Sequence, residues 1–181
     1  MELIFWGVVG LVFLYFINRD NKDEKNIEKI LFKYQNAGYN FVNRIKFNRY
    51  LFTVDKEKQK LLIILSGPEE ILLDFKNIIG FEIINDGQTI TKASLGAPII
   101  GGLVFGAAGA ITGGIIGNKT TKEKANISLV IQLNSFEDPI IEIFIANGFT
   151  PASMKEDILK EVGKLVVWFK LILEQNEKIV N

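Results

Sequence analysis

The sequence contains no cysteine, no histidine and only four prolines in 181 residues. Without cysteine there is no disulfide framework, thiolate nucleophile or zinc knuckle. Without histidine the commonest general base, the Ser–His triads and most transition-metal sites are excluded as well. Net charge is lacking too, with 21 Lys+Arg set against 21 Asp+Glu. No strong global field therefore draws in nucleic acid or anionic lipid. Among the carboxylates, Glu137 and Asp138 read as a turn before Pro139, and Asp74 and Glu82 have no evident partner. No pair is placed for acid–base work. These absences point away from an enzyme, a metal or cofactor site, and sequence-specific nucleic-acid binding. The length suits one main domain with attachments.

Apolar sequence is what the chain has in quantity. Leu3 to Ile17 is an uninterrupted apolar run carrying Phe5, Trp6, Phe13, Tyr15 and Phe16. Its fifteen residues would span roughly 22 Å as a helix, against a hydrocarbon core of about 30 Å. Flanking residues and local thinning can make up that difference. Acidic Glu2 and the absence of a small-residue cleavage site argue against a secretory signal. The run reads as an uncleaved membrane anchor over residues 1–18, represented by Leu3, Trp6, Val9, Phe13 and Ile17. Arg19, Lys22, Lys25, Lys29 and Lys33 follow it, and the positive-inside rule places the N-terminus outside and the rest in the cytoplasm of a bacterial cell.

Residues 19–37 continue as a juxtamembrane helix, with Ile27, Ile30, Leu31 and Tyr34 at helical spacing and Asn36-Ala37-Gly38 as its stop. Short strands follow. Phe41 to Phe47 alternates, and Tyr50 to Val54 and Lys60 to Ser66 flank a polar turn, Asp55 to Lys58. Ile71 to Phe75 and Gly80 to Ile84 come next, and Asn85-Asp86-Gly87 is a tight-turn signal before Gln88 to Ser94. Asn126 to Asn134 and Pro139 to Ala146 are the last strands. Ser153 and Glu156 form a capping box. It opens a helix whose stripe is Ile158, Val162, Leu165, Val166, Phe169, Ile172 and Leu173, ending near Gln175.

Between these strands lies an uncharged stretch, Leu95 to Gly117, in which small residues recur at steps of four. Gly102, Gly106, Ala110 and Gly114 form one stripe, and Gly109, Gly113 and Gly117 a second. Such spacing lets helix backbones approach closely. In water each glycine weakens a helix by about 0.8–1.0 kcal/mol relative to alanine, so the stretch needs a packing partner or lipid. Its tail, Gly113 to Thr120, is not a P-loop: Asn118 replaces the glycine before lysine, and no parallel strand leads in.

The strand-rich plan closed by one helix resembles the pleckstrin-homology (PH)-like barrel. The resemblance is closer to PH-like proteins of low-GC Gram-positive bacteria and their prophages. It is carried by Leu51-Phe-Thr-Val-Asp55 with Lys60 to Ile64, Asp74 to Ile78 with Phe81 to Gly87, Gly101 to Gly117, and Ile127 to Leu133. It implies an α+β fold: a seven-stranded antiparallel PH-like barrel over residues 39–175 with a C-terminal capping helix. A glycine-zipper helical hairpin is inserted at 95–118. In architecture the chain also resembles membrane-anchored prophage proteins of superinfection exclusion, which block entry of a second phage's DNA.

If the barrel forms, a single membrane crossing by the glycine segment would separate its strands, so the segment must return to the side it left. Two short helices broken near Phe105 to Gly109 would do so. Arg44, Lys46, Arg49 and Lys56, which lie around the first hairpins, are candidate lipid or partner contacts, as is Trp168, which lies off the main helix stripe. The expected function is a membrane-anchored, non-enzymatic interaction protein at the cytoplasmic face, with another membrane protein as partner and self-association open to it. The alternative is a glycine-zipper oligomer that forms a pore or disrupts the membrane.

Overall fold

The segments Tyr50–Asp55 and Lys60–Leu65 are apolar with little alternation, a pattern that suits strands covered on both faces. In the computed structural model both strands are covered on both faces. The structure describes residues 22–47, 50–65, 67–97, 100–101, 124–151 and 154–180. Strands β1 (Asn43–Phe47), β2 (Tyr50–Asp55), β3 (Lys60–Leu65) and β4 (Glu70–Asp74) form one antiparallel sheet in sequence order. A 3-10 turn, Phe75–Asn77, leads to β5 (Ile78–Asn85), β6 (Gln88–Ser94), β7 (Ile100–Gly101), β8 (Lys124–Leu133) and β9 (Ile140–Pro151). These make a second antiparallel sheet in the order β7-β6-β5-β8-β9. Helix α1 covers residues 22–36, and α2 is Lys155–Val180.

The main core lies between the sheets. Phe52, Val54, Leu61 and Ile63 from the first sheet meet Phe81, Ile83, Leu129 and Ile131 from the second. Helix α2 contributes Leu159, Val162, Leu165, Val166, Phe169, Ile172 and Leu173, all buried, and the Phe169 ring stacks on Phe81 with centroids 5.2 Å apart. The helical stripe is therefore as expected from spacing, with Ile158 packed at its margin and Leu159 added. The helix runs on past Gln175 to Val180. One reason is Asn176, buried in its last turns, whose Nδ2 donates to the carbonyls of Phe75 (2.7 Å) and Ile78 (2.9 Å). Ser153, the expected cap, lies outside the described residues.

The opposite face of the first sheet carries Leu51, Leu62, Ile64 and Leu72, and α1 covers it with Ile27, Ile30, Leu31 and Tyr34. Fully burying one such aliphatic side chain is worth about 1.5–3 kcal/mol. The helix stops in a Schellman motif: Tyr39 N donates to Tyr34 O at 3.0 Å and Gly38 N to Gln35 O at 2.9 Å. Gly38 takes φ +79 there, a conformation open to glycine because it lacks a Cβ. The Tyr34 and Tyr39 rings meet edge-on at 5.4 Å, the apolar contact that accompanies this motif.

The expectation of a seven-stranded closed barrel is corrected in two respects. Among the described residues, nine strands form two separate sheets, and no hydrogen-bonded ladder joins them. Closure would require end strands to pair; the wall between the sheets is instead filled by α2 side chains and by Phe75 of the 3-10 turn. Strand order also departs from a succession of hairpins, because β8 pairs with β5 rather than β6. The expected N-terminal transmembrane helix and glycine-rich hairpin fall on residues 1–18 and, in the main, 102–118, outside the described residues. The insertion starts later than expected, since Ile100–Gly101 still pairs with β6. Among the described residues, no helix is long and apolar enough to cross a membrane.

Candidate membrane-facing site

Helix α1 is fixed across the first sheet at both ends. Near its start, Glu24 accepts from Lys46 Nζ at 2.9 Å on edge strand β1. Near its end, Glu70 Oε1 on edge strand β4 accepts from Lys33 Nζ at 2.5 Å and from Tyr34 OH at 3.0 Å. Lys46, Leu51, Ile64 and Glu70 are successive partners in one cross-strand row. Three strand spacings along that row measure about 14 Å. Nine to ten residues of helix rise about 14 Å as well. The helix thus crosses the strands, with its first residues over β1 and its last over β4.

The turn between β2 and β3 holds the exit from α1. Asp55, buried at the end of β2, accepts from Asn40 N at 2.7 Å and Lys58 N at 2.9 Å. Burial pushes its carboxyl up, but backbone donors from Lys58, Asn40 and Glu57 and the Lys58 charge outweigh that and hold it below the usual carboxylate range. Lys58 Nζ sits 4.3 Å from the centroid of the Tyr39 ring. Tyr34 is shifted the other way: burial, the hydrogen bond to Glu70 and the Glu70 charge push its phenol up to about 12.

The second sheet positions both roots of the glycine-rich segment. Antiparallel pairing of β7 with β6 brings Gly101 opposite Thr91. β8 starts at Lys124, beyond the Asn85–Ile127 pair at the end of β5. Both roots therefore lie toward the end of the sheet that carries the Asp86-Gly87 turn, with β6 and β5 between them. Asp86 and Asn126 bind each other there, through Asp86 N to Asn126 O at 2.8 Å and Asn126 N to Asp86 Oδ1 at 3.2 Å. A segment rooted twice in one sheet ends on the side where it began.

The sequence-derived contact residues do not converge on one site. Lys46 is engaged by Glu24; Arg44 lies exposed two residues away on β1, and Lys56 is exposed in the β2–β3 turn. Lys58 covers Tyr39, and Lys60 pairs with Asp74 at 2.5 Å, which supplies the partner that Asp74 lacked in sequence. Glu82 accepts from Thr89 Oγ1 on β6. Trp168 is half-buried against the main core. Arg49, the expected anchor residues Leu3, Trp6, Val9, Phe13 and Ile17, and Gly102, Gly106, Gly109, Gly113 and Gly117 lie outside the described residues.

Sequence reasoning missed Asp55 and Asn176. Each is one polar residue in a surface-like stretch, and no local signal separates it from its neighbours; only the amides and carbonyls brought to it by distant segments do so. A half-open cavity of about 280 Å³ lies between the end of β6 and α2, lined by Ala93, Ser94, Ala97, Lys170, Leu173, Glu174 and Glu177. Its charged groups are already occupied: Lys170 and Glu174 are 3.7 Å apart, and Glu177 accepts from Gly96 N at 2.9 Å. Among the described residues, no group of three or more metal-ligating side chains comes together.

Residues 37–147 match the family described as glycine zipper containing PH domain. Two curated relatives are each 31% identical over 145 residues, 74% of this chain. One is the SPbeta prophage-derived uncharacterized membrane protein YomJ of Bacillus subtilis (strain 168), of which the match covers 63%, less than two thirds. The other is the Immunity protein of Bacillus phage SPbeta, of which it covers 71%. No solved structure matches the chain.

Proposed function

The chain belongs to the family of PH domains that contain a glycine zipper, and from that premise we propose that it is a membrane-anchored, non-enzymatic interaction protein of prophage type, which excludes a second phage by blocking entry of its DNA. The observation that carries this reading is the double rooting of the uncharged glycine-rich segment in one end of a well-packed sheet. This makes the PH-like domain a rigid mount for an apolar element whose two ends lie on one side of the membrane. The names of the two relatives, a prophage membrane protein and a phage immunity protein, support the same reading. So does the run Leu3 to Ile17, followed by Arg19, Lys22 and Lys25, which would anchor the chain with the domain in the cytoplasm. Its partner in this role is a second membrane protein at the DNA-entry route.

The test is infection of a phage-sensitive host expressing the full chain. The expected result is normal adsorption of a related phage with DNA entry blocked. Normal plaque formation by a panel of related phages would refute exclusion. Loss of membrane potential in uninfected cells would favour a glycine-zipper pore instead.

A further inference from the structure

The geometry points to the β1 edge of the first sheet as the face of the domain held against the bilayer, its partner being a lipid surface. This rests on the anchoring role proposed for residues 3–17. Five residue steps separate Ile17 from Lys22, a reach of at most about 18 Å even when fully extended. The start of α1 is therefore confined near the point where the anchor leaves the membrane. That start is not a loose tether. Ile27 and Ile30 pack it on the sheet and Glu24 pairs with Lys46 on β1, while Lys33 and Tyr34 bind Glu70 over β4 at the far end.

With the helix lying across the strands, its far end can lie farther from the anchor than its start by as much as its length over the sheet, about 14 Å between Glu24 and Lys33. The tether therefore holds the β1 edge, where the helix starts, more closely than the β4 edge, and we take β1 as the near side. The near side presents Lys22, Lys25 and Arg44 to solvent, with Lys46 beside them. Asp23 and Glu24 lie among these cations, and Glu24 is turned to Lys46. Basic side chains at this position suit the anionic headgroups of a bacterial inner leaflet.

The cysteine-free chain permits a direct test on the whole protein. Single cysteines at Arg44→Cys (β1 edge) and Glu69→Cys (before β4) are labelled with a fluorophore. Each protein is reconstituted into phosphatidylglycerol-containing vesicles carrying a headgroup-attached quencher. Quenching at position 44 is expected to exceed that at 69 by about two-fold or more. A flexible Gly-Ser linker of about ten residues, inserted between Asn21 and Lys22, adds about 18 Å of slack. It is expected to bring the ratio to about one while vesicle flotation and the circular dichroism of the domain stay unchanged. Glu70→Ala, which frees the far end of α1, is expected to lower the ratio part of the way.

Equal quenching at the two positions in the parent chain would overturn the assignment. So would a ratio that survives the linker, since the orientation would then come from the glycine-rich segment and not from α1. Failure of the parent chain to float with the vesicles is a separate result: it would remove the anchor reading itself.

Discussion

Replacing Asp55 by Asn tests whether one buried carboxylate secures the junction of α1 and the first sheet. Asp55 accepts two backbone N–H groups, from Asn40 at 2.7 Å and Lys58 at 2.9 Å. Hydrogen bonds to a charged group contribute about 1.5–3 kcal/mol each. In Asp55→Asn one oxygen can still accept, but the amide nitrogen now faces a donor, so the expected loss is about 2–4 kcal/mol. For a domain of this size that is a fall in Tm of about 4–16 °C.

The pH dependence has a definite sign. The carboxyl is held below its ordinary value in the folded chain, so its contribution is fully present above the unfolded carboxylate range, near pH 4. It is lost as pH falls further, through the folded value. The assay is urea unfolding of the full chain followed by far-UV circular dichroism, from neutral pH down to about pH 3. Wild type should lose stability on the acid side more steeply than Asp55→Asn, and the two should converge at the lowest pH. A loss below about 0.5 kcal/mol at neutral pH, or parallel acid limbs, would refute the account.

Phe169→Ala removes a ring stacked on Phe81 at the centre of the core and should cost about 3–5 kcal/mol in the same unfolding assay. A Cβ at position 80 would overlap Gln132 Oε1 and lie 3.0 Å from the Ala93 carbonyl oxygen. Gly80→Ala should therefore destabilise by about 1–3 kcal/mol. Adding Gln132→Ala should restore part of the loss, because the glutamine end can move and the Ala93 backbone cannot. In alkaline difference titration against Tyr34→Phe, Tyr34 should ionise near pH 12, and Glu70→Gln should bring it down toward 10. Because the folded-state value is raised, the stability Tyr34 contributes is complete below about pH 10 and disappears as pH rises through the folded value. Asn176→Leu should cost about 1–3 kcal/mol, as the carbonyls of Phe75 and Ile78 lose their shared donor.

Features that rest on local periodicity and turn chemistry are legible in the residues alone. The α1 stripe of Ile27, Ile30, Leu31 and Tyr34, its stop at Gly38, the hairpin turn at Asp86-Gly87 and the buried stripe of α2 were all legible there. A helix face repeats every three to four residues and a tight turn occupies four, so each signal lies inside a short window. The resemblance carried by Leu51–Asp55 and the glycine-rich segment also led to the right family.

Which strands become neighbours and which polar groups meet is set by long-range packing. No local pattern tells β8 to pair with β5 across the hairpin rather than with β6, because both alternatives bury the same alternate residues. The two separate sheets follow from α2 filling the space where the barrel would close. The placement of α1 across the strands depends on Glu24 reaching Lys46 and on Tyr34 reaching Glu70, 36 positions apart in the chain. Asp55 became a clamp only when folding brought Asn40 and Lys58 to its oxygens. Each of these outcomes is a long-range contact, whose free energy comes from the desolvation and pairing of groups distant in sequence, and no window of the sequence contains both halves.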